Sequence, residues 1–257
     1  EAGFFAALVS SKKKLSYTYS VEKVNGEVTE YTDPYAFANV TKPEDYKAFL
    51  AGEEKNAAHI FGAHERTVNG VKGVLFNVWA PKALSVSVVG EFNKYDGRVH
   101  LMERIEDTGV FELFIPGLAA GCGYMYEIKR QGKGTTRKLD PVSRQISSVP
   151  IIASVVSDEN MPDSYAWNDG LWMIKRKKEA GKKKPVTVYE VSLTDWLKEK
   201  SADELVDFVK QEGYTHVCFL PVAEYLNEEM NGYSTLGYFA VTHRIGGSDA
   251  FKKLVDD

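Results

Sequence analysis

Chemistry in a soluble chain of this composition would begin with its carboxylates. Glu103, Glu106 and Asp107 lie close together, Glu228 adjoins Glu229, and Asp256 adjoins Asp257. Two carboxyl groups held face to face can divide general acid and base work between them. Near-adjacent acids on loops and helix ends are more often simply solvated, and that is the reading given to each of these pairs. Histidines 59, 64, 100, 216 and 243 have neither nucleophile nor metal-ligand spacing. His216 opens a strand and His64 is placed in a turn, so both are expected to make structural hydrogen bonds. Cys122 and Cys218 stand far apart in apolar surroundings, which predicts two buried free thiols in a reducing, cytoplasmic compartment. No cofactor or metal is called for. The remaining chemical resource is aromatic: 14 Tyr, 13 Phe and 4 Trp suit β-structure and sugar binding alike.

Composition narrows the partners. A formal charge of −4 over 257 residues disfavours nucleic acid, which needs clustered Lys and Arg. The one basic run, Lys175 to Lys184, contains Gly181 and precedes Pro185, and is read as a solvated linker. No apolar run of about 18 residues exists to span a membrane. The start, EAGFFAALVSSKKK, has its apolar part before its basic part, the reverse of a signal peptide. Because the first residue is Glu, a trimmed or partial chain is expected.

These residues must be positioned by two kinds of structure. Residues 15–24 read as a strand, Asn25-Gly26 as a hairpin turn, and residues 27–31 as the return. Lys42-Pro43-Glu44-Asp45 opens a helix with an apolar face of Tyr46, Phe49 and Leu50, closed by Gly52. From Gly73 the period becomes two. Val74, Phe76 and Val78 share one face, Val86 and Val88 alternate with serines, and Val110–Ile115 and Tyr124–Arg130 continue the pattern, with Tyr124, Tyr126 and Ile128 inward. Short alternating strands with Pro, Asn and Gly punctuation predict a β-sandwich at 58–157. Trp79 is read as core. After the basic linker, residues 187–191 form a short strand, Ser201-Ala-Asp-Glu204 is a capping box, Leu205, Phe208 and Val209 make a helical stripe, and 216–222 is a second strand. Ser248 is expected to cap a last helix. Strand, helix, strand, helix predicts parallel α/β structure with the two strands side by side.

Several stretches resemble the bacterial-type 1,4-α-glucan branching enzymes of the α-amylase superfamily. They run in that family's order: Asp33-Pro-Tyr-Ala-Phe37, Phe61-Gly-Ala-His64, Val78-Trp-Ala-Pro81, Val88-Val-Gly-Glu-Phe-Asn-Lys-Tyr-Asp-Gly-Arg98, Phe111-Glu-Leu-Phe-Ile-Pro-Gly117, Lys138-Leu-Asp-Pro141, Val188-Tyr-Glu-Val191, Thr215-His-Val217, Leu220-Pro-Val222, Gly237-Tyr-Phe239 and Ala250–Asp256. The resemblance covers most of residues 33–257. It implies an immunoglobulin-like, early-set sandwich of the glycogen-binding-module type, followed by the start of a (β/α)8 barrel. The expected domains are an N-terminal hairpin and helix segment (1–57), the sandwich (58–157), a linker (158–185) and an incomplete barrel (186–257). A whole barrel needs about 250 residues, so about two βα units are expected here.

The implied reaction cuts an α-1,4 link in glycogen and rejoins the piece as an α-1,6 branch. Retaining transfer of this kind needs two carboxyl groups about 5–5.5 Å apart. In the family these follow later barrel strands, beyond Asp257, so no catalytic residue is assigned in this chain. The implied substrate-binding residues are Tyr233, Glu224, Tyr225 and Tyr95. Tyr233 matches the tyrosine that stacks on the sugar at the cleavage point, although its neighbours Asn231 and Ser234 replace Trp and Gln. Glu224-Tyr225 stands where the family has Glu-His, and Ser192 where it has His. Tyr95 replaces a tryptophan that stacks on glucan in related modules, with Asn93 and Lys94 expected to add hydrogen bonds. Trp167, Trp172 and Trp196 are expected to pack the sandwich–barrel junction. These departures leave two alternatives open: a glucan-binding pseudo-enzyme, and a related α-glucan hydrolase or debranching enzyme. The expected partner is α-glucan, with neither nucleic acid nor membrane.

Overall fold

A computed structural model describes residues 7–11, 15, 17–55, 57–147, 151–157 and 165–257. Most of the apolar-then-basic start, and residues 158–164 of the expected linker, lie outside the described residues. Strands β1 (Tyr19–Glu22) and β2 (Val28–Tyr31) form the N-terminal hairpin, with Gly26 at φ +81° in its turn. They are shorter than the sequence reading. The expected helix is a 3-10 turn at Pro43–Tyr46 followed by the short helix α1 (Lys47–Leu50).

Nine strands then build the sandwich: β3 (Gly62–Val68), β4 (Val71–Trp79), β5 (Ala83–Gly90), β6 (Glu103–Ile105), β7 (Val110–Pro116), β8 (Gly123–Arg130), β9 (Lys133–Lys138), β10 (Ile146–Ser147) and β11 (Ala153–Val155). One sheet has the order β3-β4-β7-β6; the other runs β10-β11-β8-β5, with β9 beside β11 on the same edge of β8. All pairings are antiparallel. Val74, Phe76 and Val78 face Val86, Val88, Tyr124 and Tyr126 across the inter-sheet core, as the alternation requires. Burying a side chain such as Phe76 contributes about 2–3 kcal/mol.

The other face of β4 and β7 is buried too, which alternation alone did not predict. Leu75, Asn77, Glu112 and Phe114 lie under the segment from Asp33 to Leu50. Phe37 meets Phe114 edge-on at 4.8 Å, and Tyr46 stacks on Phe61 at 5.6 Å. The Glu112 carboxylate accepts the Val40 N–H at 2.7 Å and the Thr41 N–H at 3.2 Å. Burial, opposed by the Thr41 hydroxyl and reinforced by the Glu112 charge, pushes the Tyr46 phenol up to about 12.

Several expectations are corrected. His64 sits in β3, not in a turn, and its Nε2 lies 3.0 Å from the Phe61 carbonyl. Trp79 is 46 % exposed at the end of β4, with Phe49 against its ring at 5.3 Å. Alternation turns it away from the Val78 face, toward α1 and the open end of the sandwich. Cys122 is half-buried and Cys218 exposed, so the thiols are not both buried.

The second region begins with α2 (Gly170–Glu179), which takes up the first half of the basic run as helix. Strands β12 (Val188–Val191) and β13 (His216–Phe219) pair in parallel, joined through α3 (Leu193–Trp196) and α4 (Ala202–Gln211). The Ser201 capping box is formed: its Oγ accepts the Glu204 N–H at 3.2 Å, and Glu204 accepts the Ser201 N–H at 2.7 Å. Strands β14 (Ala223–Tyr225) and β15 (Thr235–Val241) form an irregular antiparallel pair before α5 (Gly247–Asp256). Ser248 lies inside that helix, whose cap position is Gly246, so Ser248 is not the cap. Trp196 packs on Phe208 within this region at 5.8 Å, while Trp167 and Trp172 are 45 % and 58 % exposed. They do not form a tryptophan-packed junction. The two regions meet where β10 lies against β15: a Cβ on Gly237 would come to 2.5 Å from Ile146 Cδ1, so the end of the Ile146 side chain would have to turn aside for any larger residue. Among the described residues no helix is long and apolar enough to cross a membrane.

Candidate functional site

A polar cleft of about 160 Å³ opens immediately past the C-terminal ends of β12 and β13. Open α/β sheets bind ligands at that end of their strands, because the loops there are free to carry side chains. Ser192, Thr194, Asp195 and Lys198 line one side from the turn after β12 and from α3. Leu220 and Pro221 line it from the end of β13, and Tyr225, Glu228, Asn231 and Gly232 close it.

Glu224 and Tyr225 are positioned by β14. Glu224 is only 2 % exposed. Its carboxylate accepts from Arg244 Nη1 at 2.6 Å, from the Thr242 hydroxyl at 3.2 Å and from the His243 N–H at 3.0 Å, and it meets His243 Nδ1 at 2.9 Å. Burial alone would raise its pKa. The His243 backbone and ring and the Tyr225 N–H outweigh it, and the group ends below the ordinary carboxylate value. Glu224 is therefore an ionised anchor whose oxygens are taken up inside the protein. Arg244 turns its guanidinium over the Tyr225 ring, 4.2 Å from the centroid, and fixes that ring at the cleft.

The loop between β14 and β15 carries Tyr233, which is 63 % exposed. It follows two residues in left-handed backbone, Asn231 at φ +48° and Gly232 at φ +83°. A Cβ on Gly232 would stand 3.1 Å from the Pro221 carbonyl and 3.5 Å from the Tyr225 ring, so the loop packs closely at this point. Ser192 accepts the Asp195 N–H at 3.3 Å and so caps α3.

The chemistry available here is hydrogen bonding and stacking, without an acid–base pair. Asp195 is held below the ordinary range by the Lys198 ammonium at 2.8 Å, and Glu228 stands 3.7 Å from Arg244. Asp195 is therefore not poised to donate a proton at neutral pH. Among the described residues no group of three or more His, Cys, Asp or Glu could hold a metal ion.

Tyr95 lies elsewhere, on the outer face of the β5–β8–β9 sheet. Lys94 and Tyr95 are both left-handed, at φ +55° and +57°, a costly turn for non-glycine residues. Arg137 holds it: its Nη2 donates to the Tyr95 carbonyl at 2.8 Å, and its Cζ lies 5.8 Å from the ring centroid. Glu127 pairs with Arg137 at 3.1 Å. Arg98 pulls the Asp96 carboxyl down to about 2 through its side chain and N–H. Asn93 does not reach outward as expected. It is buried, and its amide joins the Gly90 N–H, the Val88 carbonyl and His100. Of the four sequence-derived residues, Tyr225 lines the cleft, Glu224 is buried behind it, Tyr233 stands exposed on the loop whose Asn231 and Gly232 line it, and Tyr95 lies apart on the sandwich. Arg244, Asp195 and Lys198 escaped sequence reading. The one available signal was a lone acid, Glu224, inside an apolar strand, which demands a buried cation.

Residues 60–143 match the family described as carbohydrate-binding module 48 (isoamylase N-terminal domain). The chain is 39 % identical over 241 residues to the 1,4-alpha-glucan branching enzyme GlgB of Methylococcus capsulatus, covering 90 % of this chain and 32 % of that protein. It is 37 % identical over 269 residues to that of Saccharophagus degradans, covering 100 % and 36 %. It is 40 % identical over 245 residues to that of Thiobacillus denitrificans, covering 91 % and 33 %. The chain thus spans about a third of the length of these relatives. Among solved structures it superposes on the catalytic module of the glycogen-degrading pneumococcal virulence factor SpuA, with a TM-score of 0.52 at 21 % identity, covering 76 % of this chain and 35 % of that one. That likeness concerns the fold alone.

Proposed function

We propose, from the premise that this chain resembles the N-terminal third of a 1,4-α-glucan branching enzyme, that it supplies glucan-binding surfaces to a glycosyltransferase of glycogen biosynthesis. In this reading 58–157 is the carbohydrate-binding sandwich, 158–185 the linker, and 186–257 the first two βα units of a (β/α)8 barrel. The observation that carries it is the cleft past the ends of two adjacent parallel strands, where barrel enzymes place their substrates. Tyr233 offers its exposed ring face to the C–H face of glucose, Tyr225 presents only its edge at the cleft wall, and the polar rim meets the sugar hydroxyls. Glu224 contributes by positioning. Tyr95, braced by Arg137, is a second contact for α-glucan on the sandwich. Breaking and rejoining glucosidic bonds falls to carboxylates outside this chain, in a protein of the relatives' length. The cytoplasm, where glycogen is made, is the expected location.

Product analysis on amylose with the full reading frame tests the proposal. New α-1,6 links are expected; shortened sugars without branches would replace it with a hydrolase. A glucan-binding pseudo-enzyme is the second reading, favoured by Asn231, Ser234, Ser192 and Tyr225, which depart from the family at the cleft. It would prevail if the full protein were retarded in glycogen gels yet formed no product.

A further inference from the structure

One end of the sandwich holds a slot of about 270 Å³ that the proposed function does not use. It is lined by Trp79, Pro81 and Ile128, and by Lys82, Arg130 and Lys138. Register explains the grouping. Ile128 pairs with Thr136 and Tyr126 with Lys138 across β8 and β9, and alternation puts all four on the inner face of that sheet. Tyr126 fills the core, while Ile128 and Lys138 reach the open end. Arg130 stands opposite Ala83, next to Lys82. Tyr95 and Arg137 are on the outer face, so the slot is separate from the sandwich contact described above.

Three cations gather here in a chain of net charge −4, and no carboxylate lines the slot. Among the described residues no ion pair engages Lys82, Arg130 or Lys138. Like charges repel unless an anion joins them. The apolar wall requires that the anion carry a surface that gains from leaving water. Bare phosphate lacks such a surface, and unmodified glucan lacks the charge. The volume lies just under the range for drug-sized ligands, which fits a single sugar ring with one substituent.

We propose that this slot binds a phosphate monoester of glucose, with the phosphate among Lys82, Arg130 and Lys138 and the sugar's C–H face against Trp79, Pro81 and Ile128. The sugar half rests on the α-glucan reading; the phosphate half rests on the slot. The ester is either a free hexose phosphate or a phosphorylated unit within a glucan.

The test is a nuclear magnetic resonance titration of the whole chain, reading the Trp79 indole signal assigned through Trp79→Phe. The probes are glucose 6-phosphate, glucose, inorganic phosphate, maltoheptaose and phosphorylated maltoheptaose. Glucose 6-phosphate is expected to move the Trp79 signal at least tenfold more tightly than glucose or phosphate. Combined Lys82→Glu and Lys138→Glu substitutions, both on exposed side chains, should weaken it at least tenfold, while Tyr95→Ala leaves it unchanged. Tighter binding of phosphorylated maltoheptaose assigns the slot to modified polymer, and tighter binding of glucose 6-phosphate assigns it to the free ester. No movement with either ester, equal binding of inorganic phosphate, or an unchanged affinity in a folded charge-reversed variant overturns the proposal. Failure of the α-glucan reading would appear separately, as maltoheptaose moving neither Tyr233 nor Tyr95.

Discussion

The Arg244 guanidinium covers the Tyr225 ring at 4.2 Å while donating to Glu224 at 2.6 Å. One side chain therefore links a buried carboxylate to a ring that lines the cleft. Lysine keeps the charge but loses the planar stack and the forked donors. Arg244→Lys is expected to cost about 1–2 kcal/mol, seen as a lower urea midpoint, and to weaken maltoheptaose binding. An unchanged midpoint would show that the ring does not depend on the arginine.

Tyr225 and Tyr233 should separate by experiment. Tyr225 is 4 % exposed and Tyr233 63 % exposed. Tyr225→Ala should cost about 3 kcal/mol or more, as large aromatic truncations in a core do. Tyr233→Ala should leave stability within about 0.5 kcal/mol while lowering affinity for maltooligosaccharide. If Tyr233→Ala binds normally, the residue is a loop feature and not a sugar contact.

Acid should act through Glu224. Its folded value lies below the ordinary 4.5, so its stabilising contribution is fully present above that pH and fades as pH falls through the folded value. Glu224→Gln is expected to cost about 2 kcal/mol at pH 7 by weakening charge-assisted bonds. The gap between variant and parent should close below pH 4.5, in urea titrations run at several pH values. A constant gap would mean that the carboxylate's charge is not what holds Arg244. Asp140 works in the opposite direction. Burial raises its carboxyl above the usual range against the pull of the Tyr124 and Tyr126 hydroxyls, so its contribution is full below 3.8 and declines as pH rises through its folded value.

Gly232→Ala should be destabilising by about 1–2 kcal/mol, since alanine is strained at φ +83° and its Cβ would press on the Pro221 carbonyl. The thermal midpoint is the measurement, and a neutral result would show that the loop yields.

Proteolysis should divide the chain unevenly. Among the described residues β12 and β13 pair only with each other, and a two-stranded sheet is marginal by itself. Brief trypsin treatment is expected to cut within residues 170–257 first and to spare the sandwich. Equal survival of both regions would contradict this.

Much of the fold was legible because its signals are local. The period-two run of Val74, Phe76 and Val78, the Asn25-Gly26 turn and the Ser201–Glu204 capping box each declare themselves within a few residues. What escaped depends on distant partners. The burial of Leu75 and Glu112 follows from a segment some seventy positions upstream of Glu112 folding across the sheet. The Glu224–Arg244 pair joins residues twenty apart through a turn whose shape no short pattern encodes. Trp79 was misread because residue type suggested burial, whereas alternation from Val78 pointed it outward. Tyr225 and Tyr233 could be picked out by resemblance, but the cleft that gathers loops after β12 and β13 requires the parallel pairing itself.

The strap from Asp33 to Leu50 changes where the sandwich can be lifted out for grafting. Glu112 receives the Val40 and Thr41 amides, and Phe37 covers Phe114. A transplant begun at Ala58 would carry a bare greasy face and an orphaned acid into its new host. The portable unit starts upstream, at Asp33, and the strap travels with the module as its third layer.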